Sequence, residues 1–433
     1  MNNSISGSIG PFFQSLSSIG PMLNIIGLFS IIAAIDYKAI FYIVIIAFGF
    51  SAFNIYMPYR ASSLIRSNGG YYAITGTISG KRAGVATAYL YLIYGFSALP
   101  SITLFLMSFA SFFLNSIYIE MIIPVAYTTL ALYVISRGVG RSVDTMKMLG
   151  LAEVAFIIML DAIMLIRPEG TVPGISRIDF TGGGLWSGLL FGMLMFSGSG
   201  SAFFITENTK NGKKTVPLGI ILAFFASGIL MSISAYAVQA FLGGRMLSYS
   251  MNPYIIVDYI RSSAGSMVYY AFIFFSLSSS FNLTIGYLNS FRNAVARMSL
   301  DNILYMGKRR FYALVFLLNI AISWGLYLTI GSFYGFIVVS GIVSSMYLTV
   351  HLISTASLSR WMLSNRKRLS MAILSVSFVI LTITLAYSII ADATSDVMID
   401  LIYAIVLVAV FVSILFLSRR PAIDSVRFGG EEA

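Results

Sequence analysis

Apolar runs of about twenty residues or more recur along the whole chain, separated only by short polar connections. Twelve of them centre near residues 22, 50, 98, 126, 154, 195, 229, 280, 320, 344, 379 and 408. Each can cross a hydrocarbon core of about 30 Å at about 1.5 Å per residue. A backbone in lipid must satisfy its own hydrogen bonds, so such segments fold as helices. The chain is 58% hydrophobic and only 10% charged, which a soluble domain of this size does not show. The expectation is an all-α integral membrane protein with 12 transmembrane helices and no soluble domain. No cleavable signal sequence is evident, because residues 1–10 carry no Lys or Arg before the first run. The runs near 98 and 280 exceed a perpendicular crossing and are expected to tilt.

Charge placement gives an orientation. Of the 27 Lys and Arg residues, all but Lys38, Arg167, Arg177, Arg245 and Arg261 fall after even-numbered spans or in the C-terminal tail. This positive-inside pattern predicts a multi-pass plasma-membrane protein with both termini in the cytoplasm. The net charge of +11 then faces anionic headgroups, and nucleic acid is not an expected partner. With no cysteine and one histidine, thiolate chemistry and histidine-rich metal centres are excluded. An intramembrane enzyme needs paired carboxylates or a nucleophile with its base. The chain offers Glu153 and Asp161 on one span and a distant His351. No catalytic site and no bound cofactor are expected, and His351 is read as structural.

Two spans carry interruptions. Span 1 reads Ser17-Ser18-Ile19-Gly20-Pro21, and Pro21 removes a backbone donor and clashes with the turn before it. Span 6 reads Ser197-Gly198-Ser199-Gly200-Ser201, five small residues that favour helix poorly. The interruptions lie five spans apart. Five is odd, so a second five-span unit enters the membrane inverted relative to the first. Interrupted segments at matching positions of inverted halves point to a transport site near the midplane. Helix N-termini there would offer N–H groups to a carboxylate, and freed carbonyls would face an ammonium or a cation.

Glu153 falls near the middle of span 5. An ionisable residue at that depth is costly and is a functional hypothesis by default, here as a proton carrier. Asp161 and Lys147 lie nearer the two ends of the same span and are expected to snorkel. In span 3, Tyr89, Tyr91, Tyr94 and Phe96 either line a cavity or pack toward lipid.

Three segments carry a family resemblance. Ser67-Asn68-Gly69-Gly70-Tyr71-Tyr72-Ala73-Ile74 resembles a Pro-Ser-x-Gly-Gly-x-Tyr segment, with Arg66 where Pro is usual. The stretch from Glu207 to Pro217 is similar to Glu-Glu-Thr-Lys-Asn-Pro-x-x-x-x-Pro, with Asn208 and Gly212 as departures. Residues 296–302 loosely match a Met-x-Arg-Asp-Gly ending. The chain thus resembles the amino acid–polyamine–organocation (APC) superfamily of permeases, which have the leucine-transporter fold. The resemblance implies a 5+5 inverted repeat plus two peripheral helices, with helices 1 and 6 discontinuous. It divides one permease domain into residues 10–167, 183–356 and 368–418.

The resemblance further implies an amino acid or amine bound between the breaks, at Ser17, Ser18, Ile19, Gly20, Ser197, Gly198, Ser199, Gly200 and Ser201, mostly through backbone groups, with room left by Ser and Gly for a bulky one. It implies coupling to an ion gradient, with H⁺ placed ahead of Na⁺. Glu153 would carry the proton, near where some relatives have a Lys. Ser278 and Ser279 on helix 8 would be ligands for Na⁺. The family often has Gly-aromatic-Glu/Asp in helix 6; Gly198, Ser199 and Gly200 stand there. The missing carboxylate favours a neutral amino acid over a cationic substrate. The expected function is secondary active transport by alternating access. Alternatives are a Na⁺-coupled or exchange-type permease for another organic cation or a nucleobase, an inorganic cation as cargo, and a non-transporting sensor on the same fold.

Overall fold

The computed structural model describes residues 5, 7–114, 116–175, 183–252 and 254–392, with single residues 408, 426 and 428 beyond them. Eleven helical stretches among these are long and apolar enough to cross a membrane. They fall where the apolar runs do, and the chain is an all-helical multi-pass membrane protein. The twelfth expected span, near residue 408, lies outside the described residues apart from that single position. So does most of the second peripheral helix of the 368–418 division.

The first span is built from pieces: α1 (Ile9–Ile19), α2 (Pro21–Leu23), a π-helical turn (Asn24–Leu28) and α3 (Phe29–Asp36). The second comprises α4 (Ile40–Asn54) and α5 (Tyr56–Leu64), followed by the short α6 (Tyr71–Ser79). Then come α7 (Lys81–Leu114), α8 (Ile117–Ser136) and α9 (Val139–Ile166). The sixth span is α10 (Gly183–Leu194), continued after two residues by a 3-10 segment (Ser197–Ile205). It is followed by α11 (Gly212–Leu242), α12 (Met246–Met251), α13 (Ile255–Ala264) and α14 (Ser266–Leu300). The described helices close with α15 (Lys308–Ile330), α16 (Ser332–Ser364) and α17 (Arg368–Asp392).

The burial pattern separates inner from outer elements. The first and sixth spans are buried along most of their length, whereas α15 and α17 keep apolar side chains outward. Leu151, Ile122 and Leu317 are more than half exposed in mid-helix. Apolar side chains exposed at that position suit a hydrocarbon surround. The interrupted spans therefore sit at the centre, with α1 packed against α9, α11, α14 and the 3-10 segment, and α7 along α16.

The first interruption has a defined geometry. Gly20 adopts φ 62°, ψ 65°, a left-handed conformation that ends α1, and Pro21 opens α2 at its first position. Both choices follow from the residues: glycine tolerates positive φ, and proline at N1 gives up a donor that the helix does not use.

The three segments behind the family resemblance converge at the basic end of the bundle. Asn68 N and Glu207 Oε1 are 2.9 Å apart, and Glu207 N returns a 2.9 Å bond to Asn68 Oδ1. Asn68 Nδ2 donates to Asn208 Oδ1 at 2.8 Å. Arg297 bonds Asp301 Oδ1 at 2.9 Å and Glu207 Oε1 at 3.3 Å. Tyr72 donates its hydroxyl to Asp301 Oδ2 at 3.0 Å. Ile5, near the N-terminus, pairs with the same loop through Asn208 and Lys210.

Candidate functional site

The two interruptions meet. A β-carbon on Gly198 would overlap the Ser18 carbonyl group and crowd the Ile19 nitrogen. Only glycine lets the sixth span lie directly on the backbone of the first. Ser201 Oγ donates to Gln14 O at 2.9 Å and Ser18 Oγ to the same carbonyl at 2.7 Å. From α14, Ser290 Oγ donates to Ser201 O at 3.1 Å, while Gln14 Nε2 donates to Gly286 O at 2.7 Å.

The polar groups freed by the breaks are held by the protein's own side chains. Glu153, on α9, accepts from Met22 N at 3.0 Å through Oε1. Ser279, on α14, gives its hydroxyl to the same Oε1 at 2.6 Å, and its Oγ accepts from Leu23 N at 3.1 Å. A carboxylate thus caps the N-terminus of the helix that restarts after Gly20, where the dipole favours negative charge. Asn282 lies beside this carboxylate. Neither end of the Asn282 amide, nor Glu153 Oε2, finds a partner at ordinary hydrogen-bond geometry among the described residues.

One carbonyl before each break is also engaged. Asn24 Nδ2 donates to Ile19 O at 2.9 Å and to Met195 O at 3.1 Å. The expectation of free groups at the first break is corrected for Met22 N, Leu23 N and Ile19 O. Glu153, Ser279 and Asn24 occupy them, because a bilayer supplies no water to do so. At the second break the first N–H groups of the 3-10 segment, on Ser197 and Gly198, have no acceptor within that helix.

Two cavities flank the crossing point. The inner one, about 30 Å³, lies toward the basic end and is lined by Tyr71, Tyr91, Ser201, Ser290 and Tyr347 among others. The outer one, about 80 Å³, has walls of Ile19, Leu28, Ile102, Leu283 and Phe336. Ser18, Ser197, Tyr94 and Tyr287 border both. None of the residues lining either cavity is charged.

The expected site residues divide accordingly. Ser18 and Ser197 face both cavities, Gly198 and Ser201 the inner one, and Ile19 the outer one. Ser17, Gly20, Ser199 and Gly200 line neither. Gly20 packs under Leu283, Gly200 under the Tyr71 hydroxyl, and Ser199 Oγ donates to Phe196 O at 2.6 Å. Ser17 Oγ is buried without a partner. Of the two α14 hydroxyls, Ser279 joins Glu153, whereas Ser278 is partly exposed. Of the α7 aromatics, Tyr91 and Tyr94 reach the cavities, while Phe96 packs edge-on to Phe291.

Asp161 does not snorkel: it is buried and accepts from Ser234 Oγ at 2.8 Å, since the neighbouring α11 offers a donor closer than the interface. Lys147 lies outward, paired with Asp144 at 2.9 Å. His351 is buried, with Nδ1 2.8 Å from Asn54 Oδ1 and its ring between Tyr71 and Tyr347. Asn24 was missed by the sequence reading. Its only signal is a lone amide in an apolar run, four residues after Gly20.

No protein-family model and no curated protein matches the chain. Among solved structures it is similar to the crystal structure of a manganese transporter from Eremococcus coleocola in complex with an aromatic bis-isothiourea substituted compound. Identity is 13%, covering 96% of this chain and 94% of that one, with a TM-score of 0.47.

Proposed function

We propose that this protein is a secondary transporter of the plasma membrane, working by alternating access on a small neutral amino acid or related amine. The observation that carries this reading is the meeting of two interrupted central spans between two uncharged cavities, one on each side of the crossing. Ser18, Ser197, Tyr94 and Tyr287 form the neck between them, and rocking of the inverted halves about this point would open one cavity at a time. Glu153 carries the coupling proton. Its charge sits on the helix that restarts at Pro21, so neutralising it weakens the cap that fixes that helix. The basic loops face the cytoplasm. The test is uptake of radiolabelled L-valine and isobutylamine into reconstituted vesicles, with and without an inward-acidifying gradient. Gradient-stimulated accumulation is expected. Equal flux with and without the gradient removes proton coupling, and no flux of either compound removes the substrate class.

A second reading, with an inorganic cation as cargo, is favoured by the carboxylate of Glu153 lying against the residue Met22 at the break. Among the described residues no three His, Cys, Asp or Glu side chains gather into a ligand set. Two carbonyls at the breaks, Ile19 O and Met195 O, already hold Asn24. Uptake of Mn²⁺ in the same vesicles decides between the two.

A further inference from the structure

Asn24 stands at the first position of the π-helical turn and is almost fully buried. Two backbone carbonyls, Ile19 O and Met195 O, lie within hydrogen-bond distance of one end of its amide. Carbonyls only accept, so that end must be the NH₂ group, and the orientation of the amide is fixed by its surroundings. Both protons of Nδ2 are thereby used. The other end, Oδ1, takes no hydrogen bond from the described residues. Asn24 lines the outer cavity, and Oδ1 is the end of its amide left unused by the protein's described residues.

The other polar groups of that cavity are neutral hydroxyls. Ser18 spends its proton on Gln14 O, leaving its oxygen as an acceptor. Ser101 and Ser340 share one hydrogen bond at 2.7 Å across the wall. Tyr94, Tyr287 and Ser197 add further hydroxyls, so the cavity offers neutral donors and acceptors among aliphatic walls, and no charge. A group bearing N–H protons, attached to a short aliphatic body, finds both an acceptor and apolar cover.

We propose that Asn24 is a specificity-determining residue, whose Oδ1 accepts a hydrogen bond from the amine of the substrate in the outer cavity. The same side chain ties together the last carbonyls before both breaks. Occupation of Oδ1 therefore bears on the first and sixth spans at once. This rests on the amino acid or amine reading above, and the experiment keeps the two apart.

Binding to the purified full-length protein is measured for three probes that share an isopropyl group: L-valine, isobutylamine and isovalerate. For the unaltered protein, isovalerate, which has no amine, is expected to bind at least about tenfold more weakly than the other two, the scale of one hydrogen bond to a charged donor. Asn24→Ala is expected to weaken valine and isobutylamine by a similar factor and to leave isovalerate unchanged. Because Asn24→Ala strips donors from two buried carbonyls and can fail to fold, Asn24→Ser is run beside it. Serine keeps one donor for the carbonyls but is too short to reach the cavity. The same loss is expected from it. Folded Asn24 variants that bind valine and isobutylamine as the unaltered protein does would overturn the assignment and leave the transporter reading intact. So would isovalerate binding as tightly as valine. If neither amine binds at all, the substrate class falls, and this role for Asn24 falls with it.

Discussion

Gly198 and Gly200 stand two residues apart in one segment and meet different obstacles. A side chain on Gly198 runs into the Ser18 carbonyl, part of a buried backbone that cannot step aside. A side chain on Gly200 runs into the Tyr71 hydroxyl, the far end of a side chain that can turn. Overpacking a fixed core costs about 1–3 kcal/mol. Gly198→Ala is therefore expected to lower the melting temperature clearly and abolish uptake, and Gly200→Ala to do less of both. Equal effects from the two would show that the spans do not touch at Ser18. Glu153 allows a second contrast. Glu153→Gln retains an oxygen for Met22 N but loses the charge, so it is expected to fold, exchange substrate and lose the pH dependence of uptake. Glu153→Ala leaves a buried N–H unpaired, at about 1–3 kcal/mol. A pH profile unaltered in Glu153→Gln takes this residue out of the coupling step.

Side-chain hydrogen bonds link the elements at the basic end. The Asn68–Glu207 exchange ties the loop before α6 to the loop after the 3-10 segment, and Arg297 links both to the end of α14. Asn68 supplies three of these bonds, two of them from its side chain. Asn68→Ala is thus expected to raise hydrogen exchange in residues 67–72 and 207–211 together, while α9 and α16 stay protected. Exchange that rises in only one of the two loops would mean that they do not open as a unit. These three segments were visible as separate motifs, and their type and spacing placed them after spans 2, 6 and 8. Their mutual contact was not visible, because Asn68 and Glu207 are 139 residues apart and no local pattern records such a pairing.

For the whole molecule, the distribution of Lys and Arg predicts one topology. The chain has no native cysteine, so single ones can be introduced without background. Lys213→Cys lies in the first turn of α11 at the basic end, and Tyr118→Cys lies at the start of α8, where the native side chain is largely exposed. In intact cells an impermeant maleimide is expected to label Cys at 118 and not at 213, with the reverse in inside-out vesicles. The opposite result would invert the orientation.

Span positions, helical state and the break at Gly20-Pro21 could be read from the sequence because each depends on local chemistry. Hydrocarbon forces long apolar segments into helices, and proline disrupts its own turn. Glu153 stood out for a similar reason, since charge at midspan is costly wherever it occurs. What fills the breaks was settled only by tertiary packing. Glu153, Ser279 and Asn24 reach the freed N–H and C=O groups from α9, α14 and the π-turn. A polar side chain in a membrane helix announces that it needs a partner, but only the arrangement of neighbouring helices decides which one it finds.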